Sequence, residues 1–342
     1  MIVPFGLRHI WLMRELRRSS VALNCKGSLL EEPADPFRRA LHGYFLKPTA
    51  DVFTFIMCSS ANAPRLCGFV QAGAQHSVVP WAGQQAPVAW QVAAMSPALN
   101  SCAEGATVWY RLLLHLCIAA GEKHVQRLYA RLPEDSSAED VFRQASFSVY
   151  CHESVFCRAD GASLGLLSPR MHSVSAKDQW DLHRLWAQLT PQPVVHAEGA
   201  NEARSSPVSP DRAASGTAHG YAWRNHAGAM QGYLHLLVKP RGVWLRLLVY
   251  PESGNSATEM LDHAFAVLAG LSSRPVYCAV RDYEGGLQGL LEERGFSYMD
   301  SHSLLVKHTT VRVRQPRRTL VPSLEKRAEA APTASRSHPG GL

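Results

Sequence analysis

Between Gly242 and Val313 the chain runs through strand, polar turn, amphipathic helix, strand, amphipathic helix and strand without interruption, an order that leaves few folds open. Val243 to Val249 (VWLRLLV) is bulky and β-branched, which predicts a strand, and it stops at the turn formers Pro251-Glu252-Ser253-Gly254-Asn255-Ser256. Ala257 to Leu271 then places Met260, Leu261, Ala264, Phe265, Leu268 and Leu271 at helical spacing. Its acids Glu259 and Asp262 lie toward the N-terminal half, where the helix dipole favours them. Pro275 to Val280 predicts a second strand, and Gly286 to Arg294 a second helix closed by Gly295 as a left-handed cap. Phe296 to Val313 alternates as one or two further strands.

The same order occurs upstream. Val88 to Ala98 reads as a strand, Asn100 to Thr107 as a small-residue loop, and Val108 to Ala120 as a helix burying Leu112, Leu113, Leu116, Cys117 and Ala120. Val125 to Leu132 is a strand, and Ser137 to Ala145 a helix ending at Ser146-Phe147. Trp90 to Phe147 and Trp244 to Phe296 span similar distances, which reads as an internal duplication. Each copy opens alike: Val3 to Leu7 as a strand before a helix at His9 to Arg18, and a helix at Ala176 to Leu189 with Trp180, Leu182, Leu185, Trp186 and Leu189 on its apolar face. A chain of 342 residues suits two such units. The expected division is residues 1–168, with Val149 to Arg158 completing the first sheet, and residues 172–313. A flexible insertion is expected at about 198–220, and a disordered basic tail at 314–342.

This doubled order resembles the GNAT acetyltransferase superfamily. Leu290, Leu291, Glu292, Glu293, Arg294, Gly295 and Phe296 stand where that family often has leucine, tyrosine, glutamate, lysine, leucine, glycine and phenylalanine. The resemblance implies an α/β fold: two tandem GNAT-like domains, each a mixed, mostly antiparallel sheet flanked by helices. It also implies an N-acetyltransferase that moves acetyl from acetyl-CoA to an amine of a small molecule or peptide. In the family the loop entering the helix holds the coenzyme pyrophosphate, using unpaired donors at the helix start. Carried over, the cofactor-binding residues are Val249, Ser253, Gly254, Asn255, Ser256 and Ala257 in the second copy, and Gly105, Ala106 and Thr107 in the first. Aligned on its glycine, the phosphate pattern falls on Pro251, Gly254 and Ser256 and on Cys102, Gly105 and Thr107, so both copies lack the usual Gln or Arg at the front.

Glu252, at the end of the second copy's fourth strand, is the candidate general base. The first copy has no carboxylate there, and its Glu104 lies farther along the loop. The family's tyrosine falls on Leu291 and Phe142, so Tyr283 is the candidate acid for the departing thiolate, with Tyr250 as the other choice. A binding or scaffold protein that keeps both folds without the chemistry is the alternative supported by these departures.

Seven Lys or Arg against two Glu from Arg312 onward put five of the seven net positive charges in the tail, so the basic balance predicts no specific nucleic-acid surface. Arg8, Arg14, Arg17 and Arg18 interrupt any signal-peptide core and no apolar run is long enough to span a bilayer, which predicts a cytoplasmic protein without a membrane partner. The eight cysteines include no Cys-x-x-Cys pair and read as small hydrophobes. No metal is expected, because His115, His183 and His263 fall on or beside helix faces and no cluster shows ligand spacing.

Overall fold

The computed structural model describes residues 1–23, 25–32, 35–46, 51–58, 67–76, 87–159, 165–198, 217–250, 255–269 and 274–309. The strands are β1 (Ile2–Pro4), β2 (Val21–Ala22), β3 (Val52–Met57), β4 (Gly68–His76), β5 (Pro87–Ser96), β6 (Arg127–Pro133), β7 (Ser148–Arg158), β8 (Met171–Ser173), β9 (Thr217–Arg224), β10 (Met230–Lys239), β11 (Gly242–Val249), β12 (Val276–Arg281) and β13 (Ser297–His308). The helices are α1 (Ile10–Leu16), α2 (Cys25–Leu30), α3 (Pro36–Phe45), α4 (Gly105–Glu122), α5 (Ser137–Gln144), α6 (Gln179–Leu189), α7 (Gln192–Glu198), α8 (Ser256–Ala269) and α9 (Gly286–Glu293).

All thirteen strands join one sheet in the order β1-β3-β4-β5-β6-β13-β7-β12-β11-β10-β9-β8, with β2 added beside β5. The described residues belong to one compact unit. On one face α4 and α5 cover the first half of the sheet, burying Trp90, Leu112, Leu116, Leu128 and Leu305, while α8 and α9 cover the second, burying Leu245, Phe265, Val280 and Phe156. α1 and α3 pack on the opposite face over Ile56 and Phe69, and α6 over Ala222 and Tyr233. Apolar residues at period 2 in the strands meet apolar stripes at period 3.6 in the helices, giving helix layers on both sides of the sheet.

Val149 to Arg158 does not complete the first half's sheet. As β7 it pairs antiparallel with β12 of the second half, while β13, the last strand of the second half, pairs with β6 of the first. The two exchanged strands pair with each other at the centre of the sheet. The offset that carries Phe147 to Phe296 carries Glu153 to His302, and these two residues lie opposite one another in that ladder. The strand exchange is thus reciprocal about the Glu153–His302 position. The short helices follow the same exchange. α2 of the first half packs Leu30 against Trp244, Leu237 and Ala279 of the second, and α7 of the second packs Val194 and Ala197 against Cys151, Tyr129 and Ala89 of the first.

Several expectations shift. Trp90 lies beneath α4 but Trp244 faces the opposite side, so Leu245, one residue on, is its positional equivalent. Trp180 is 67% exposed, and only Leu182, Leu185 and Trp186 of that helix are fully buried. Among the described residues the last segment is a single strand, with 310–313 outside them. Of the expected insertion at 198–220, Glu198 ends α7 and residues 217–220 begin β9, with the remainder outside the described residues, as is the tail 314–342.

Candidate functional site

Each half contains one parallel strand pair that is joined only at its start. β11 and β12 match at Val243/Val276, Trp244/Tyr277 and Leu245/Cys278, after which no ladder pair joins them. β5 and β6 match at Ala89/Arg127, Trp90/Leu128 and Gln91/Tyr129 and then separate. Parallel strands that part in this way expose main-chain N–H and C=O groups along their inner edges, and buried edges require partners. In the second half Leu247, Leu248 and Val249 continue beyond the ladder toward the start of α8. Their described strand partners lie on the β10 side, where Val249 faces Gly232 and Leu247 faces Leu234.

α8 begins at the open end of this cleft. In its first turn the Glu259 N–H donates to the Asn255 carbonyl at 3.0 Å, and the leading amides of any helix have no carbonyl partner within the helix itself. Asn255 is exposed, Ala257 half-buried, and Ser256 fully buried with a hydroxyl that has no hydrogen-bond partner. Glu259 in the first turn would oppose an anion, but its carboxylate accepts from Trp223 Nε1 at 3.1 Å and lies 3.7 Å from the Arg170 guanidinium. Glu252, Ser253 and Gly254 lie outside the described residues.

A charged cluster crosses the cleft on the face opposite α8. Arg246, the first residue beyond the ladder, donates to Glu284 in the turn after β12 at 3.0 Å, and lies 4.0 Å from Glu153 of β7. Glu153 also pairs with Arg131 of β6 at 2.7 Å. Arg281 of β12 holds Glu198 of α7 through both guanidinium nitrogens, at 2.6 and 3.1 Å. The Tyr150 hydroxyl donates to the same carboxylate at 3.0 Å. Tyr283 accepts from Arg281 at 3.0 Å, and burial pushes its phenol up to about 12 despite the neighbouring guanidinium. It is therefore protonated at neutral pH and yields its proton reluctantly. Tyr250, at the end of β11, is turned away to donate to Gln188 of α6. Apart from Tyr283, sequence reasoning did not pick out this cluster, although a lone Arg inside VWLRLLV and a lone Glu inside HESVFC were its visible signs.

The first half's counterpart loop is built differently. Gly105 opens α4, and a Cβ there would sit 3.1 Å from the Leu99 carbonyl oxygen, so close packing on the preceding turn accounts for the glycine. Ala106 and Thr107 are exposed on the first turn, and Glu104 precedes it. The inner edge of β5 carries β2, with Val21 opposite Met95 and Ala22 opposite Ala94. Among the described residues no group of histidine, cysteine or acidic side chains could hold a metal ion, and no helix is long and apolar enough to cross a membrane.

No family model matches the sequence, and no curated protein matches it. Solved structures do. A GCN5-related N-acetyltransferase from Sphaerobacter thermophilus aligns with 90% of this chain and 95% of its own at 11% identity and a TM-score of 0.54. A tandem GNAT protein from the clavulanic acid biosynthesis pathway aligns with 91% of this chain and 98% of its own at 14% identity and a TM-score of 0.50. The fold defines the class: this is a GNAT-fold chain, α/β, with mixed sheet flanked by helices. Within that class its two-half architecture fits that of the tandem GNAT protein.

Proposed function

We propose that this chain is an acyltransferase that moves an acetyl group from acetyl-CoA to an amine of a small molecule or peptide, in the cleft between β11 and β12. The observation that carries this reading is the continuity between a main-chain edge left without β12 beyond Leu245 and a helix start whose buried Ser256 hydroxyl lacks a partner. A pantetheine arm carries secondary amides that can pair with such an edge, and a pyrophosphate suits a helix N-terminus. Val249, Asn255, Ser256 and Ala257 are the described residues that would hold the cofactor, joined by Ser253 and Gly254. When bound, acetyl-CoA supplies an activated acyl group. In this reading Glu252 takes the proton that the amine loses on attack, and Tyr283 returns one to the departing sulfur. The two halves, divided near residues 168–172, are read as a duplication in which the second does the chemistry.

The test combines binding with turnover. At 100 times its dissociation constant, acetyl-CoA should stabilise the protein by about 2.7 kcal/mol in a thermal-shift series. Ala257→Asp, compatible with a helix start but repulsive to pyrophosphate, should abolish that shift. With an accepted amine, Glu252→Gln should lower turnover by roughly 10²- to 10⁴-fold while Glu104→Gln changes little. Absence of any shift at millimolar cofactor would end the reading. The Arg246–Glu284 pair spanning the cleft favours one rival, a binding scaffold, and cofactor binding without thiol release across an amine panel would establish it instead.

A further inference from the structure

The two halves differ in what connects their first two helices. In the second half α6 passes to α7 through Thr190 and Pro191 alone, whereas in the first α1 and α2 are separated by residues 17–24. The extra length enters the cleft between β5 and β6. Val21 and Ala22 pair antiparallel with Met95 and Ala94 on the side of β5 that β6 has left. The Leu23 amide donates to the Ala93 carbonyl at 2.8 Å, and the Ala98 amide to Ser19 at 2.6 Å. The Ser96 hydroxyl donates to the Leu16 carbonyl at 2.9 Å. Leu23 is 3% exposed and sits in the same apolar core as Met95 and Val108. The main-chain groups that an amide-bearing ligand would need are thus satisfied by the protein's own backbone.

We infer that residues 19–23 permanently seal the first cleft, so that the chain has one acyl-carrier site, in the second half. The inference rests on the acyltransferase reading for the identity of the carrier. Replacing the loop amides by a ligand in the first half would require extracting Leu23 from the core and breaking every bond just named, whereas the edge of β11 beyond Leu245 has no such competitor among the described residues. The seal also reaches the working half. α2 follows directly, and its Lys26 ammonium lies 5.4 Å from the ring centroid of Trp244 on β11.

The full-length chain, titrated calorimetrically with coenzyme A, should bind one equivalent. Ala22 and Ala94 face one another at a position flanked by the hydrogen-bonded Leu23–Ala93 pair, the closely spaced kind of site that accepts a cross-strand disulfide. Oxidised Ala22→Cys/Ala94→Cys should therefore bind one equivalent with affinity within roughly twofold of the reduced form, while Ala257→Asp should weaken binding by at least roughly tenfold. Two equivalents, or binding lost on oxidation and restored by dithiothreitol, would overturn the inference and leave the acyltransferase reading intact. Zero equivalents from the parent would end that reading. In that case the Leu23 amide decides the seal: hydrogen-exchange protection on the order of 100-fold supports it, and exchange at the rate of an exposed loop refutes it.

Discussion

Gly68 opens β4 where no side chain fits: a Cβ would lie 2.3 Å from the Ser96 carbonyl oxygen and 2.6 Å from Val108 Cγ1. Neither the backbone of β5 nor the buried start of α4 can yield cheaply, so Gly68→Ala should cost about 1–3 kcal/mol in urea unfolding. An unchanged midpoint would show that the first cleft's wall gives way more easily than its packing implies. His235, on β10, is a second site of residue-scale strain, electrostatic in kind. Burial first, then Lys26, Arg246 and His219, push its imidazole down to about 4. The unfolded chain, with an ordinary imidazole near 6.5, binds the extra proton, so this residue's contribution is complete above about pH 6.5 and is lost as pH falls toward 4. His235→Gln should flatten the stability profile across that window. If the parent and variant slopes coincide, the destabilising charge lies elsewhere.

At the scale of elements, α7 is fixed by a two-pronged Arg281–Glu198 pair whose side chains are 3% and 5% exposed. Removing Arg281 leaves the buried Glu198 carboxylate without its cation, so Arg281→Leu should cost about 3–5 kcal/mol, while Arg281→Leu/Glu198→Leu should cost less. A double variant as damaged as the single one would mean that the pair's geometry, not charge burial, secures the helix. The element types were legible in the chain: VWLRLLV formed β11, and the Met260, Leu261, Phe265 and Leu268 stripe formed the buried face of α8. The placement of β7 and β13 was not, because alternation tells a strand which face is apolar but not which neighbour it will have. β2 is two residues long and carries no periodicity to read. Of the candidate site, the start of α8 was legible from its turn formers. The ion pairs were not, since Arg246, Glu284, Glu153 and Glu198 come from four separate segments that only the topology brings together.

For the whole molecule, the exchanged strands bind the halves into one hydrogen-bonded network. Unfolding should appear as a single calorimetric transition, because neither half retains a closed edge once the other melts. Two well-resolved transitions would contradict this. Fragments 1–168 and 172–342 made separately should lack cooperative melts and recover one when co-expressed, since β6 needs β13 and β12 needs β7. Cooperative melting by either fragment alone would show that β7 or β13 can fold back into its own half.

A chain whose second half alone did the chemistry could not shed its first half. β7 flanks the second cleft's own strand β12, and Glu153 on it reaches Arg246 at that cleft's floor. Selection acting only on the second half would therefore preserve β7 and α2 in the first, while leaving the exposed Ala106 and Thr107 free to drift beside a Gly105 held by its packing on Leu99. The strands that cross between the halves would then be the most constrained part of the first half, and the surface of its cleft the least.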